Sequence, residues 1–477
     1  MDSFARLEPE AFWRHFAALT RLPRASGEEA QVVAHVQGWA RRHDLAMRRD
    51  GAGNLVVRVP ATDGRGNAPV VVLQGHLDMV CEREPDSPYD PAHGRIHVVR
   101  DGDWIHAEGT TLGADNGVAI AAMMAVAEDG HAPHGPLDLL MTVDEERGLA
   151  GAAALDPALL DGDLLLNLDS EEDATLTVGC AGGVDTVVRL DAPRAPADGP
   201  RLRVVAGGGR GGHSGGDIAL GRANAITALA RALRAAPELR IVSLDGGASR
   251  NAIPRDATAV VVAGADARAA IAAEAAVIAD AHRDADPGLR ITVAPAADHA
   301  RDDAWSAAGS ARILDLIAAI PVGPLGMSAA FPGVVETSSS LGIARTEGTT
   351  LALHSLSRSA NDAALPAVTN AIAAVARLAG AALEAGNHYP GWRPDPDSAL
   401  LATASAVHAE LFGARPHVTV THGGLEASLI TAKRPGMDAI SFGPQIEGPH
   451  APGERLNIPS AARFTRLLGG LLDALSR

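Results

Sequence analysis

Four segments of this chain repeat one arrangement, in which an apolar run gives way to acids or a histidine. They are VVLQGHLD with His76 and Asp78, TLGADNG with Asp115, LLMTVDEERG with Asp144, Glu145 and Glu146, and LLLNLDSEE with Asp169, Glu171 and Glu172. The short apolar runs Leu137 to Val143 and Leu164 to Leu168 suit central strands covered on both faces. In open α/β sheets, ligands gather outside the carboxyl ends of the strands. Four strand ends lying side by side would therefore converge these groups on one crevice.

Converging carboxylates repel one another, and a divalent cation relieves that repulsion. Histidine with several carboxylates suits Zn²⁺, Mn²⁺ or Co²⁺. There are enough groups for two ions, about 3.5 to 4 Å apart, bridged by one carboxylate. Each segment also has a plainer reading. A lone strand-end His76 is ordinarily a core or surface histidine. Asp115 in GADNG reads by itself as a turn former or helix cap. The acids at 144–146 and 170–172 read by themselves as solvated loops. The combination, not any one segment, points to a metal site.

The rest of the chain frames that site. A length of 477 residues exceeds what one hydrophobic core holds and points to two domains. Apolar residues are 47% and aromatics 3%, so the interior must be built mainly from Ala, Val, Leu and Ile. Phe12, Trp13, Phe16 and Leu19 have helical spacing. A second helix follows SGEE, where Ser26 and Glu29 form a capping-box pattern. Strands are expected at Asn54 to Val59 and Val70 to Leu73, and a helix over 118–127. Strands alternating with helices suggest an α/β core. TLTVG, CAGG and VDTVVRL (175–190) read as strand, turn, strand, after which the chain has its own strand and helix set. There Ala225 to Leu233 marks a helix, Ala257 to Val262 a strand, and 364–383 a long Ala-rich helix. The Pro-rich HYPGWRPDPDS closes that stretch. The expected organisation is a discontinuous domain of residues 1–183 and 396–477, with 184–395 inserted into it.

Lys plus Arg total 41 against 58 Asp plus Glu, a formal charge of -17 that disfavours nucleic acid and acidic membranes as partners. Arg41-Arg42 and Arg48-Arg49 are short clusters that read as solvated helix faces. Two cysteines, Cys81 and Cys180, make no disulfide framework. The first residues carry no apolar signal core, and the longest Ala/Val stretch, 259–281, is broken by Asp, Arg and Glu. The expectation is a soluble cytoplasmic protein.

HLDMV (76–80), GADNGVA (113–119), TVDEERGLAG (142–151), LNLDSEE (166–172) and GGHSG (211–215) together resemble the M20 metallopeptidase family. The resemblance covers essentially the whole chain and is to the aminoacyl-histidine dipeptidase (peptidase D, Xaa-His dipeptidase) branch. It implies a mixed sheet flanked by helices, plus an inserted α+β lid or dimerisation domain. It implies hydrolysis of dipeptides, including carnosine-like Xaa-His substrates, and a homodimer. It implies two divalent ions, with Zn²⁺ first and Co²⁺ or Mn²⁺ also suited. By the resemblance His76 and Asp169 would bind one ion, Glu146 and His450 the other, and Asp115 both. Asp78 would orient the His76 ring and Glu145 would be the general base. Period two puts His76 and Asp78 on one side if the extended backbone continues. His213 of GGHSG would help stabilise the carbonyl oxyanion. Asn251 of SRNAIPR and Arg358 of HSLSRSAND would contact substrate, the guanidinium pairing with its carboxylate. HGGLEA (422–427) resembles another loop near the metals, with Ala427 where relatives commonly carry Cys.

Overall fold

The structure is a computed structural model that describes residues 3–130, 132–236, 238–264, 266–296 and 301–477. The chain divides into two compact units. The first comprises Met1–Gly179, Pro394–Val420 and Leu425–Arg477, and the second Cys180–Arg393 and Thr421–Gly424. The short return of Thr421–Gly424 to the second unit has no counterpart in the sequence reading.

The first unit is built on a mixed sheet. Its strands lie in the order Ala46–Arg49, Leu55–Val59, Leu137–Thr142, Val71–His76, Leu164–Asn167, Asp438–Ser441, Thr175–Cys180 and His417–Thr421. The middle four run parallel, with His76 beside Thr142, Gln74 beside Asn167, and Ser441 beside Asn167. The Leu137–Thr142 and Val71–His76 strands are buried along their whole length, as their continuous apolar runs require. Flanking helices include Glu10–Leu19, Ala114–Glu128, Ala399–Phe412 and Ile458–Leu475. A small antiparallel sheet pairs Ile446–Glu447 with Arg455–Asn457, and that strand with Trp104–Ala107. The turn inside this hairpin carries His450.

Several local expectations change. Arg48 and Arg49 lie on the edge strand Ala46–Arg49, not on a helix. Ser26 does not cap the helix Ala30–Arg42, whose N-cap makes no side-chain hydrogen bond. Its hydroxyl donates to Asp78 instead. The helix expected over 364–383 ends at Leu378, and Ala382–Tyr389 is a strand paired with Gly182–Asp191. Gly380, at φ +69°, turns the chain between them.

In the second unit, antiparallel strands run Arg290–Pro295, Arg201–Gly207, Ala257–Val262, Arg240–Gly246, Val335–Glu347, Thr350–Ser359, Gly182–Asp191 and Ala382–Tyr389. Two βαββαβ modules are hidden in this order. The first takes the strands beginning at 201, 240, 257 and 290; the second takes those beginning at 182, 335, 350 and 382. Numbered within each module, the sheet reads 4-1-3-2 and then 2-3-1-4, so the modules are mirrored about the Gly246–Ala344 pairing. Helices Ala225–Arg234, Ala267–Ala281, Ala307–Ala319 and Leu365–Leu378 bury their apolar sides in one core with these strands. Burial alternates residue by residue along Arg201–Gly207, the pattern of a sheet covered on one face. Among the described residues no helix is long and apolar enough to cross a membrane.

Helix Ala114–Glu128 approaches the central strand at Gly75. A Cβ there would lie 2.3 Å from Asn116 Oδ1 and 2.5 Å from Ala119 Cβ. Gly75→Ala must push the helix off the sheet, and we expect destabilisation by about 1–3 kcal/mol. The thermal midpoint of the purified variant reads this directly, and an unchanged midpoint would contradict so close an approach.

Candidate metal centre

Three of the parallel strands end at the site. His76 is the last residue of its strand, Asp169 follows Asn167 by two positions, and Glu145 and Glu146 follow Thr142. Backbone bonds hold these ends together beyond the regular pairing: Leu77 N donates to Thr142 O (2.8 Å) and Leu168 N to Gln74 O (2.8 Å). Asp115 does not come from a fourth strand end, as the sequence reading expected. It stands at the start of the helix Ala114–Glu128, where residues 115 and 116 depart from helical dihedrals and their peptide is cis. Nor does its side chain cap that helix; it faces two histidines. His450, at φ +61°, arrives from the hairpin turn near the C-terminus.

The groups meet as two triads that share Asp115. His76 Nε2 lies 3.0 Å from Asp115 Oδ1 and 3.5 Å from Asp169 Oδ1. His450 Nε2 lies 3.1 Å from Asp115 Oδ2 and 3.2 Å from Glu146 Oε2. In each triad one ligand atom per residue falls within 4.8 Å of the others. Glu145 is close enough to His76 and Glu146 to form a further grouping of the same kind. Glu29, Asp78 and Asp144 also cluster, but backbone and side-chain partners occupy them. Glu29 accepts from Gly27 N and Asp144 N, and Asp144 pairs with Arg147.

Asp78 sits behind the ring of His76, with Oδ1 3.4 Å from Nδ1. Ser26 Oγ (2.7 Å), Glu145 N (3.0 Å) and Glu146 N (3.2 Å) donate to its carboxylate. A proton on Nδ1 facing Asp78 leaves the Nε2 lone pair directed at the triad, the arrangement of a metal-binding histidine. The same aspartate also ties the His76 strand end to the backbone that carries both glutamates.

The electrostatics favour a cation. Burial resists charge on His76, but Asp169, Asp115 and Asp78 outweigh it and push the imidazole well above its usual value. Burial pushes the Glu145 carboxyl well above the ordinary range, with Asp169, Glu426 and Glu146 adding to it against His76. Burial likewise raises Asp169 to about 6 and Glu171 to about 8. Glu146 Oε1 is buried with no hydrogen-bond partner among the described residues. Buried carboxylates of this kind are relieved by protons or metal ions. The donor set, two imidazoles and three carboxylates around one shared aspartate, fits a pair of divalent ions.

Several contributors were not singled out from sequence. Glu426, wholly buried, accepts from Gln74 Nε2 (2.5 Å) and Thr142 Oγ1 (2.6 Å) beneath the strand ends, and burial raises it to about 7. The HGGLEA resemblance was its only signal. Ser26 had the pattern of a helix cap rather than of a partner to Asp78, and Arg24 and Glu454 bond backbone far away in sequence, so no local pattern marks these contacts.

The second unit gathers the other candidates. His213 pairs with Ala252 in a short antiparallel bridge, and Asn251 lies next to it, its carbonyl accepting from Ser214 N (2.8 Å). Arg358 is buried, donates to Tyr389 Oη (3.0 Å), and has Nη2 3.3 Å from His213 Nε2. Gly216 N donates to His213 Nδ1 (3.1 Å). That bond places the proton of a neutral ring on Nε2, so Nε2–H and Arg358 are two donors side by side. Burial and the Arg358 charge hold the imidazole below its usual value.

Comparison with known proteins gives the family and the fold. The model for peptidase family M20/M25/M40 matches residues 72–474. The chain belongs to that family. It is 36% identical over 482 aligned residues to the cytosol non-specific dipeptidase of Escherichia coli (strain K12), covering 100% of this chain and 99% of that protein. Its fold matches the crystal structure of aminoacylhistidine dipeptidase from Vibrio alginolyticus with a TM-score of 0.89 at 35% identity, over 99% of this chain and 98% of that one. Human carnosine dipeptidase 1, at 12% identity, shares the fold with a TM-score of 0.51, over 98% and 96% of the two chains. The mixed sheet flanked by helices is thus the M20 peptidase architecture.

Asp78→Ala removes the acceptor behind His76 and frees the backbone at 145–146. We expect metal affinity to fall by roughly 10- to 100-fold, read by titrating the chelator-stripped protein with Zn²⁺. Affinity equal to wild type would remove Asp78 from the site.

Proposed function

We propose that this M20 peptidase is a two-metal dipeptidase that cleaves short peptides with a free carboxylate, Xaa-His dipeptides such as carnosine among them. The observation that carries this reading is the pair of triads sharing Asp115. In it His76 and Asp169 would hold one ion, Glu146 and His450 the other, and Asp115 both. Zn²⁺ suits the set best, with Co²⁺ or Mn²⁺ also accepted. When bound, the two cations supply positive charge that acidifies a water and polarises the peptide carbonyl.

The protein's own groups do the rest. Glu145 takes a proton from the water onto its carboxylate as the water oxygen bonds to the carbonyl carbon, and delivers that proton to the amine nitrogen as the C–N bond breaks. Asp78 keeps the His76 proton on Nδ1. His213 and Arg358 are assigned to substrate oxygens, His213 to the carbonyl and Arg358 to the terminal carboxylate, with Asn251 contributing a further polar contact. Two adjacent donors suit an anionic oxygen better than they suit each other.

A broader dipeptidase is the second reading, favoured by the non-specific activity in the name of the Escherichia coli relative. The word cytosol in that name supports a cytoplasmic location. The homodimer implied by the family resemblance is tested by light scattering of the purified protein.

A panel assay separates the readings: carnosine, several Xaa-His dipeptides, dipeptides without His, a tripeptide and N-acetyl amino acids, each with Zn²⁺, Mn²⁺ and Co²⁺ after chelation. We expect dipeptide hydrolysis to return with metal; hydrolysis of N-acetyl amino acids alone would sink the dipeptidase reading. Glu145→Ala should lower kcat by about 10²- to 10⁴-fold while metal content stays at the wild-type level. Near-full turnover in that variant would rule out Glu145 as the base.

A further inference from the structure

The segment Leu112–Asp115 is gripped from two sides by charged residues that the reaction does not use. Glu454 is 2% exposed and lies four positions after His450. Its Oε2 accepts from Leu112 N (2.7 Å) and Gly113 N (2.9 Å), and its Oε1 from Ala114 N (2.7 Å) and Asp115 N (3.1 Å). Four consecutive amides thus converge on one carboxylate, at a helix start whose own residues provide no side-chain cap. Arg24, 1% exposed, grips the other side. It donates to Gly113 O, and also to Leu77 O (3.1 Å) and Asp78 O (2.7 Å) at the end of the His76 strand. Gly113 stands between the two charges at φ +72°, where a Cβ would meet Arg24 Nη2 at 2.3 Å.

The placement of these bonds matters more than their number. Asp115 must face His76 on one side and His450 on the other. Arg24 joins the Asp115 segment to the strand end that carries His76. Glu454 joins the same segment to the turn that carries His450. We propose that Glu454, with Arg24 opposite it, is a positioning residue that fixes Asp115 between His76 and His450. The proposal rests on the reading of Asp115 as the ligand shared by two cations. It differs from simple helix capping, which would stabilise the fold without tuning the site.

Glu454→Gln keeps the size but replaces one oxygen with an amino group that faces two backbone donors. Glu454→Asp keeps the charge on a shorter arm. Glu447→Gln, on the same hairpin and in an exposed pair with Arg455, is the control. For each variant and wild type we would measure Zn²⁺ affinity by competition with a chelating dye, the metal-free thermal midpoint, and kcat and KM at saturating Zn²⁺. Glu454→Gln should weaken at least one Zn²⁺ by 10- to 100-fold and lower kcat, with KM within about twofold. Glu454→Asp should recover part of both losses, and Glu447→Gln should match wild type. A lowered midpoint with wild-type affinity and kcat would reduce Glu454 to a helix cap and overturn the proposal. If Glu454→Gln does not fold, Arg24→Lys is read in the same way, since one ammonium cannot span the three carbonyls. Wild-type protein that binds Zn²⁺ but cleaves no dipeptide would defeat the proposed function, while the affinity ratios still decide this proposal. Wild-type protein that binds no Zn²⁺ overturns both.

Discussion

Crowding of negative charge at the ends of parallel strands is the constraint around which the first unit is arranged. Two unit charges about 4 Å apart repel by roughly 4 kcal/mol near a protein surface, and more where water is excluded. Asp115, Glu146 and Asp169 share two histidines, with Glu145, Glu171 and Glu426 close behind. The strands leave them little room to separate. Runs such as Val71–His76 and Leu137–Thr142 are buried on both faces, and their register is fixed by parallel pairing. The acids that follow must emerge within one or two residues of each other across neighbouring strands.

The carboxylates respond to this crowding in two ways. Some take backbone N–H groups as their main hydrogen-bond partners. Asp78 takes two backbone N–H groups and a hydroxyl, Glu29 takes two N–H groups, and Glu454 takes four. The others, Asp115, Glu146 and Asp169, have imidazoles as their side-chain partners at the centre. Some acids are therefore tied to the backbone, and the candidate ligands Asp115, Glu146 and Asp169 are left facing the two histidines. Burial of a carboxylate without such a partner is costly, and a cation at the centre would relieve that cost.

The parts legible in sequence were those with a local cause. His76, Glu145, Glu146 and Asp169 follow apolar runs directly, and strand periodicity is enough to bring such residues to one edge. Asp115 was legible as a candidate site residue and, by itself, as a helix cap before a helix over 118–127; the structure starts that helix at Ala114 and gives the amides there to Glu454, from the far end of the chain. Ser26 had the spacing of a cap, yet the helix begins at Ala30 with Glu29 as its N-cap residue, and the Ser26 hydroxyl donates to Asp78. The Ala-rich stretch near 380 has helical propensity, but Gly380 turns the chain and pairing with Gly182–Asp191 makes the next residues a strand. Propensity yields there to a sheet partner about 200 residues away. The mirrored modules of the second unit escaped for a related reason: the first strand of one module is separated from its remaining elements by the whole of the other.

The two units also divide the chemistry by sign. The first concentrates acceptors, which attract metal ions and repel a peptide's carboxylate. The second presents donors: Arg358, held by Tyr389, and the Nε2–H of a His213 whose tautomer is set by Gly216. Neither member of that donor pair can satisfy the other. A guanidinium has no lone pair to offer, and the ring nitrogen beside it already carries a proton. Substrate oxygens placed near each would give both donors an acceptor. A dipeptide carries an amide carbonyl to be polarised and a carboxylate to be held. In a chain with a net charge of -17, the buried Arg358 is a local reversal of sign of the kind a carboxylate would require.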